Sequence, residues 1–96
     1  MGRNEIISIL RDFKNQSAAR YGIKSLGIFG SVARDEAAKD SDVDVVIKME
    51  PPNLITMSRI RVEIEEATHA HVDIVHYRER MNKLLKEKID SEAVYV

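Results

Sequence analysis

The chain contains no cysteine. Disulfides and thiolate metal sites are therefore excluded, and a reducing cytoplasm is permitted. It also lacks a basic excess. Fifteen Lys and Arg stand against 16 Asp and Glu, for a formal net charge of −1. Domains that hold nucleic acid mainly by neutralising phosphates carry a clear basic excess, so direct nucleic-acid binding is not expected. A nucleotide remains open, because metal can neutralise its phosphates. No stretch approaches the roughly 20 apolar residues that span a bilayer. The first ten residues have scattered charges and no apolar run of signal-peptide length. The expectation is a cytoplasmic protein with no membrane partner. Internal repeats, linkers and low-complexity tracts are missing too.

What is there fits one folded domain over residues 1–96, with 44% hydrophobic and 32% charged residues. A chain this short hides only ~60–65% of its unfolded surface, so its core is modest. Ile6, Ile7, Leu10 and Phe13 recur at helical spacing and predict a helix over Asn4–Tyr21, with Asn4 as N-cap and Gly22 just past the end. Ile23–Phe29 reads as a strand ended by Gly30. Ser31 to about Ala37 reads as a short helix, and Ala38–Ser41 as a polar loop. Val43–Ile47 is a β-branched run that suits a central strand. Pro51-Pro52-Asn53 breaks the chain, and Asn53 caps a helix whose inner face is Leu54, Met57, Ile60, Ile64 and Ala67. On its outer face Arg59–Glu63 and Arg61–Glu65 are i,i+4 pairs. His71–Tyr77 reads as a third strand. Glu79–Ile89 reads as a last helix with Met81, Leu84, Leu85 and Ile89 inward. The order α-β-α-β-α-β-α predicts a small α/β (α+β) domain with a three-stranded mixed sheet and helices mainly on one face.

The chemistry concentrates at Gly30-Ser31-Val32-Ala33-Arg34 and at Ser41-Asp42-Val43-Asp44. Gly30 lets backbone approach a ligand, and the N–H groups at the start of the following helix suit an anion. Asp42 and Asp44, two apart, leave the same face of a strand with side chains starting ~6.6–6.8 Å apart. Carboxylates beside an anion cradle suit divalent metal holding a polyphosphate. Convergent side chains can serve two ions ~3.5–4 Å apart, as in two-metal phosphoryl transfer. Asp73 lies within an apolar strand, an expensive place for a charge without partner or ligand. With the two strands adjacent, Asp42, Asp44 and Asp73 share one face. Asp42 and Asp44 would then bridge the ions, and Asp73 would complete the ion beside the attacking hydroxyl. Gly30 and Ser31 would hold the triphosphate. Arg34 either reaches phosphate or pairs with Asp35 or Glu36. All-oxygen donors suit Mg2+.

These motifs resemble the Gly-Ser, then Asp-x-Asp signature of the polymerase-beta-like nucleotidyltransferases. The length, the Ala-Arg after Gly-Ser, the Ser-Asp-x-Asp and the late Asp73 are most similar to the minimal nucleotidyltransferases, or MNT proteins. The resemblance runs from about Ile23 to Tyr77. It implies that Asp42, Asp44 and Asp73 bind metal and that Gly30 and Ser31 form the nucleotide-binding turn. It also implies ATP as substrate and a HEPN-domain toxin as partner, with this chain the antitoxin and AMP passed to a toxin tyrosine. On that resemblance the extra domain with which larger relatives grip an acceptor is not expected here, and a separate protein is the expected acceptor.

Two other functions compete. One is an antitoxin that neutralises by covering alone; the other is a small-molecule nucleotidyltransferase whose acceptor pocket comes from a second subunit. His69-x-His71 raises zinc, but no cysteine stands near and the expected metal is hard. Val94-Tyr95-Val96 either tucks against the domain or meets a partner.

Overall fold

The computed structural model describes residues 2–38 and 41–96. Met1, Lys39 and Asp40 lie outside them, and with the last two the middle of the expected polar loop. Helix α1 spans Arg3–Tyr21, strand β1 Ile23–Phe29, helix α2 Gly30–Ala33 and strand β2 Val43–Met49. Helix α3 comes next over Leu54–Thr68, then strand β3 over Val72–His76, helix α4 over Lys83–Glu92 and strand β4 over Val94–Tyr95.

The sheet is mixed, in the order β3-β2-β1-β4. Strands β1 and β2 are antiparallel, β2 and β3 parallel, and β1 and β4 antiparallel. The expected three strands are therefore four among the described residues. The fourth is the Val94-Tyr95 segment, which pairs Gly27↔Tyr95 and Ile28↔Val94. Val and Tyr suit a strand, but a run of two is too short to announce one; of the two places open to the tail it takes the one against the domain, at the edge of β1. The ladder extends through Val96, whose N–H donates to Leu26 O at 2.9 Å.

The main core lies on one face of the sheet. Ile6 and Leu10 of α1 and Met57, Ile60 and Ile64 of α3 pack there on Leu26, Ile28, Val43, Val45, Ile47 and Val72. The opposite face is not bare. Phe29 and Val46 meet Ile89 of α4, with Val75, Tyr77 and Leu85 around them. Thus α1 and α3 cover one face, and α4 covers part of the face that carries the aspartates.

Element ends obey local chemistry. Helix α1 begins at Arg3 with Gly2 as N-cap, not Asn4, and Arg3 Nε donates to Ala33 O at 3.0 Å, drawing the first turn in. Gly22 closes the helix at φ +70°. Helix α2 is shorter than expected. Asp35 turns left-handed at φ +59°. Glu36 N–H reaches back to Ser31 O and Asp35 N–H to Val32 O, a Schellman closure. Asn53 caps α3, its Oδ1 accepting from Thr56 N–H at 2.9 Å. Helix α4 starts later than expected because Asn82 caps it, accepting from Leu85 N–H at 3.0 Å. The late start leaves Met81 ahead of the helix and Leu84 exposed. The Arg61–Glu65 pair forms at 3.0 Å, whereas Glu63 turns to Arg20.

Candidate active site

The parallel β2–β3 ladder sets Asp44 directly opposite Asp73. Asp42 precedes β2 by one residue and shares the parity of Asp44, so it leaves on the same face. On the other side of β2, the β1–β2 ladder sets Phe29 opposite Asp44, which brings Gly30 against the same carboxylate. Gly30 has φ +74°, and a Cβ there would lie 2.2 Å from Asp44 Oδ2. Glycine is thus needed twice at this position, for the backbone angle and for the space the carboxylate fills.

Asp44 is half-buried, while Asp42 and Asp73 are exposed. Burial first, and the charge of Asp73 next, hold the Asp44 carboxyl above its ordinary range, against the pull of Lys88. A cation among these groups would relieve that repulsion. The oxygen donors of Asp42 and Asp73 suit a hard divalent ion by their charge; among the described residues it is these two, with His71 and without Asp44, whose donor atoms gather within 4.8 Å of one another.

The turn and Arg34 are already engaged. Glu92, near the end of α4, accepts from Gly30 N–H at 3.1 Å and from Arg34 Nη1 at 2.7 Å. Arg34 Nε also donates to Glu36 at 3.2 Å. Of the two roles open to Arg34, the structure displays the ion pair, with Glu36 and additionally Glu92. Ser31 comes after Gly30 within α2. The aspartates and the glycine turn therefore converge, with a carboxylate of the chain itself seated on the turn.

A model of the nucleotidyltransferase domain matches residues 7–96. The chain belongs to the nucleotidyltransferase-domain family. It is 33% identical over 93 residues to the protein adenylyltransferase MntA of Thermococcus cleftensis, covering 96% of this chain and 93% of that protein. A solved candidate minimal nucleotidyltransferase superposes with a TM-score of 0.79 at 33% identity, covering 98% of this chain and 95% of the other. A toxin–antitoxin complex crystallised with AMP-PNP shares the fold, with a TM-score of 0.71 at 20% identity over 99% of this chain and 72% of the other.

This nucleotidyltransferase also places at its site one residue that sequence patterning does not single out, Glu92, and one that it sets aside, His71. Glu92 escapes notice because the sequence pattern ends the last helix at Ile89, whereas α4 runs on to Glu92. His71 falls with the zinc reading, yet its Nδ1 stands 3.3 Å from Asp42 Oδ1 and 4.0 Å from Asp73 Oδ1. The signal for His71 is its place two residues before Asp73. His69, its neighbour in the motif, has a backbone role instead, closing α3 at φ +55°.

Proposed function

We propose that this nucleotidyltransferase transfers AMP from Mg-ATP to a tyrosine of a partner HEPN-domain toxin and so neutralises it. The observation that carries the reading is the register of Asp44 on Asp73, with Asp42 and the Gly30 turn beside them. The likeness to the protein adenylyltransferase MntA supports a protein acceptor, and the fold shared with an MNT antitoxin solved in complex with a tri-AMPylated HEPN toxin of Shewanella oneidensis (TM-score 0.61, 19% identity, covering 97% of this chain and 66% of the other) supports a HEPN partner.

In the proposed reaction an acceptor hydroxyl oxygen attacks the α-phosphorus. The bond from that phosphorus to the bridging oxygen breaks, and pyrophosphate leaves. Asp42, Asp44 and Asp73 would hold magnesium, as a pair of ions, which supplies charge neutralisation of the phosphates. Asp73, exposed on the edge strand β3, takes the hydroxyl proton at a carboxylate oxygen. Asp44, packed against Gly30, fixes the distance between the carboxylates and the turn. The turn N–H groups, with Ser31 and Arg34, orient the phosphates once Glu92 releases them.

Neutralisation by covering alone draws on that same Glu92 contact, because a turn engaged by Glu92 need not serve a nucleotide. The deciding experiment co-expresses this chain with the HEPN-domain protein encoded beside it, incubates the purified pair with Mg2+ and ATP, and weighs each chain by intact mass spectrometry. Added AMP on the partner, absent with Asp42→Ala/Asp44→Ala, is the expected result. A tight complex with no added mass, and toxin still silenced by the double variant, would replace transfer with covering.

A further inference from the structure

We propose that His71 is a direct metal ligand, joining Asp42 and Asp73, and that its imidazole moves the site's preference from Mg2+ toward Mn2+. The inference rests on the metal-site reading above and adds a nitrogen donor to it.

Geometry carries it. One donor atom from each of Asp42, His71 and Asp73 falls within 4.8 Å of the others. Donors at ~2.0–2.2 Å from a shared ion stand ~3 Å apart when adjacent and ~4.3 Å apart when opposite. The 3.3 Å and 4.0 Å separations from His71 Nδ1 lie within that span.

The placement of His71 is built into the fold. His71 O accepts from Val43 N–H at 2.9 Å, continuing the β2–β3 ladder one step outward. The next N–H along, of Val72, donates to Glu65 Oε2 at 2.9 Å. The αL closure at His69 delivers the chain into that position. His71 is therefore tied by backbone to the residue after Asp42, and by sequence to Asp73 two residues on. Its side chain is 61% exposed, so a solvated ion can reach it.

The donor set has consequences for the ion. Mg2+ prefers oxygen ligands in near-ideal octahedra. Mn2+ shares the liking of Mg2+ for carboxylates, and unlike Mg2+ it belongs to the first-row series that takes nitrogen donors as well. Two carboxylates and one imidazole therefore accept Mn2+ more readily than carboxylates alone would.

The test loads the whole chain with Mn2+ alone and records pulsed electron paramagnetic resonance for coupling to 14N. Coupling is expected in the unaltered protein and in His69→Gln, and is expected to vanish in His71→Gln. In His71→Gln the Kd for Mn2+ should rise about tenfold or more, with that for Mg2+ rising less than about threefold. Circular dichroism melts verify that each variant folds, as the exposure of His71 leads one to expect. Mn2+ bound without nitrogen coupling, or coupling that persists in His71→Gln, overturns the role of His71 and leaves the carboxylate site standing. No Mn2+ binding by the unaltered protein overturns both. An imidazole that merely pairs with Asp42 gives the first of these results.

Discussion

Replacing Gly30 with alanine should cost this protein more activity than stability, and the two losses can be separated. A non-glycine residue in the left-handed region costs roughly 1–2 kcal/mol, and Gly30 sits there at φ +74°. The new Cβ would lie 2.2 Å from Asp44 Oδ2, where real contacts rarely fall below 3.0 Å. The carboxylate must therefore retreat by about an ångström. Turning Asp44 away from its rotamer adds roughly 0.5–1.5 kcal/mol. The sum, about 1.5–3.5 kcal/mol, lowers Tm by roughly 6–28 °C in a domain of this size. A misplacement of about 1 Å in a catalytic group can cost roughly a hundredfold in rate. Transfer should then fall about a hundredfold at a temperature where the variant is fully folded. Gly22→Ala is the control. It has φ +70° and a Cβ 2.4 Å from Glu50 O, a backbone atom far less able to yield. It should lose at least as much stability and keep its rate once folded. Calorimetry gives the first quantity and single-turnover AMP transfer the second. Transfer within a few-fold of normal in folded Gly30→Ala would refute the reasoning, as would an equal loss in Gly22→Ala.

Two other variants probe the same site. The Asp44 carboxyl is held above its ordinary range, so the fold favours its protonated form. Its stabilising contribution is present below the ordinary carboxylate pKa and lost as pH rises through the raised one. Metal-free Asp44→Asn should therefore melt higher than the unaltered protein at neutral pH and show a flatter dependence on pH above 4; an equal or lower Tm across that range would contradict the proposed repulsion. Glu92→Gln should weaken the hold on Gly30 N–H and Arg34 and tighten ATP by up to about fivefold, since a partly exposed pair is worth roughly 0–1 kcal/mol. Weaker ATP binding by calorimetric titration would mean that Glu92 does not compete with the nucleotide for this turn.

Much of this architecture is legible in the sequence because periodicity reports burial in the strands and at Met57, Ile60 and Ile64; it fails at the ends of that helix stripe, where Leu54 and Ala67 are exposed. Val43, Val45 and Ile47 against Asp42 and Asp44 disclose both the strand and its faces, and Val72 and Ile74 against Asp73 disclose the second strand. Asn53 and Gly22 declare helix ends through their own chemistry. The illegible parts depend on partners distant in sequence. The Val94-Tyr95 strand exists because β1 offers an edge, and no propensity of two residues announces that. Asn82 hides behind Met81, whose apolar side chain extends the apparent helical stripe. The Glu92 bond to Gly30 joins residues 62 apart, and only the packing of α4 on the aspartate face creates it. His71 lies two residues before Asp73 in plain view, but whether its ring points to Asp42 depends on the parallel ladder.

Because Asp44 and Asp73 meet through a parallel ladder, the site has no halfway state. Side chains along β2 and β3 change face at every residue. A single residue inserted or deleted between Val43 and the ladder's far end moves every downstream strand residue onto the opposite face, and one placed just ahead of Asp73 sends its carboxylate toward Ile60 and Ile64. Point substitutions can wear the site down by degrees and be reversed by degrees. A one-residue insertion or deletion just ahead of Asp44 or Asp73 removes it at a stroke, whereas lengthening or shortening the segment between Glu36 and Ser41 leaves both registers intact. Variation among descendants of such a chain should accordingly be tolerated as length only between the elements and as identity only within them.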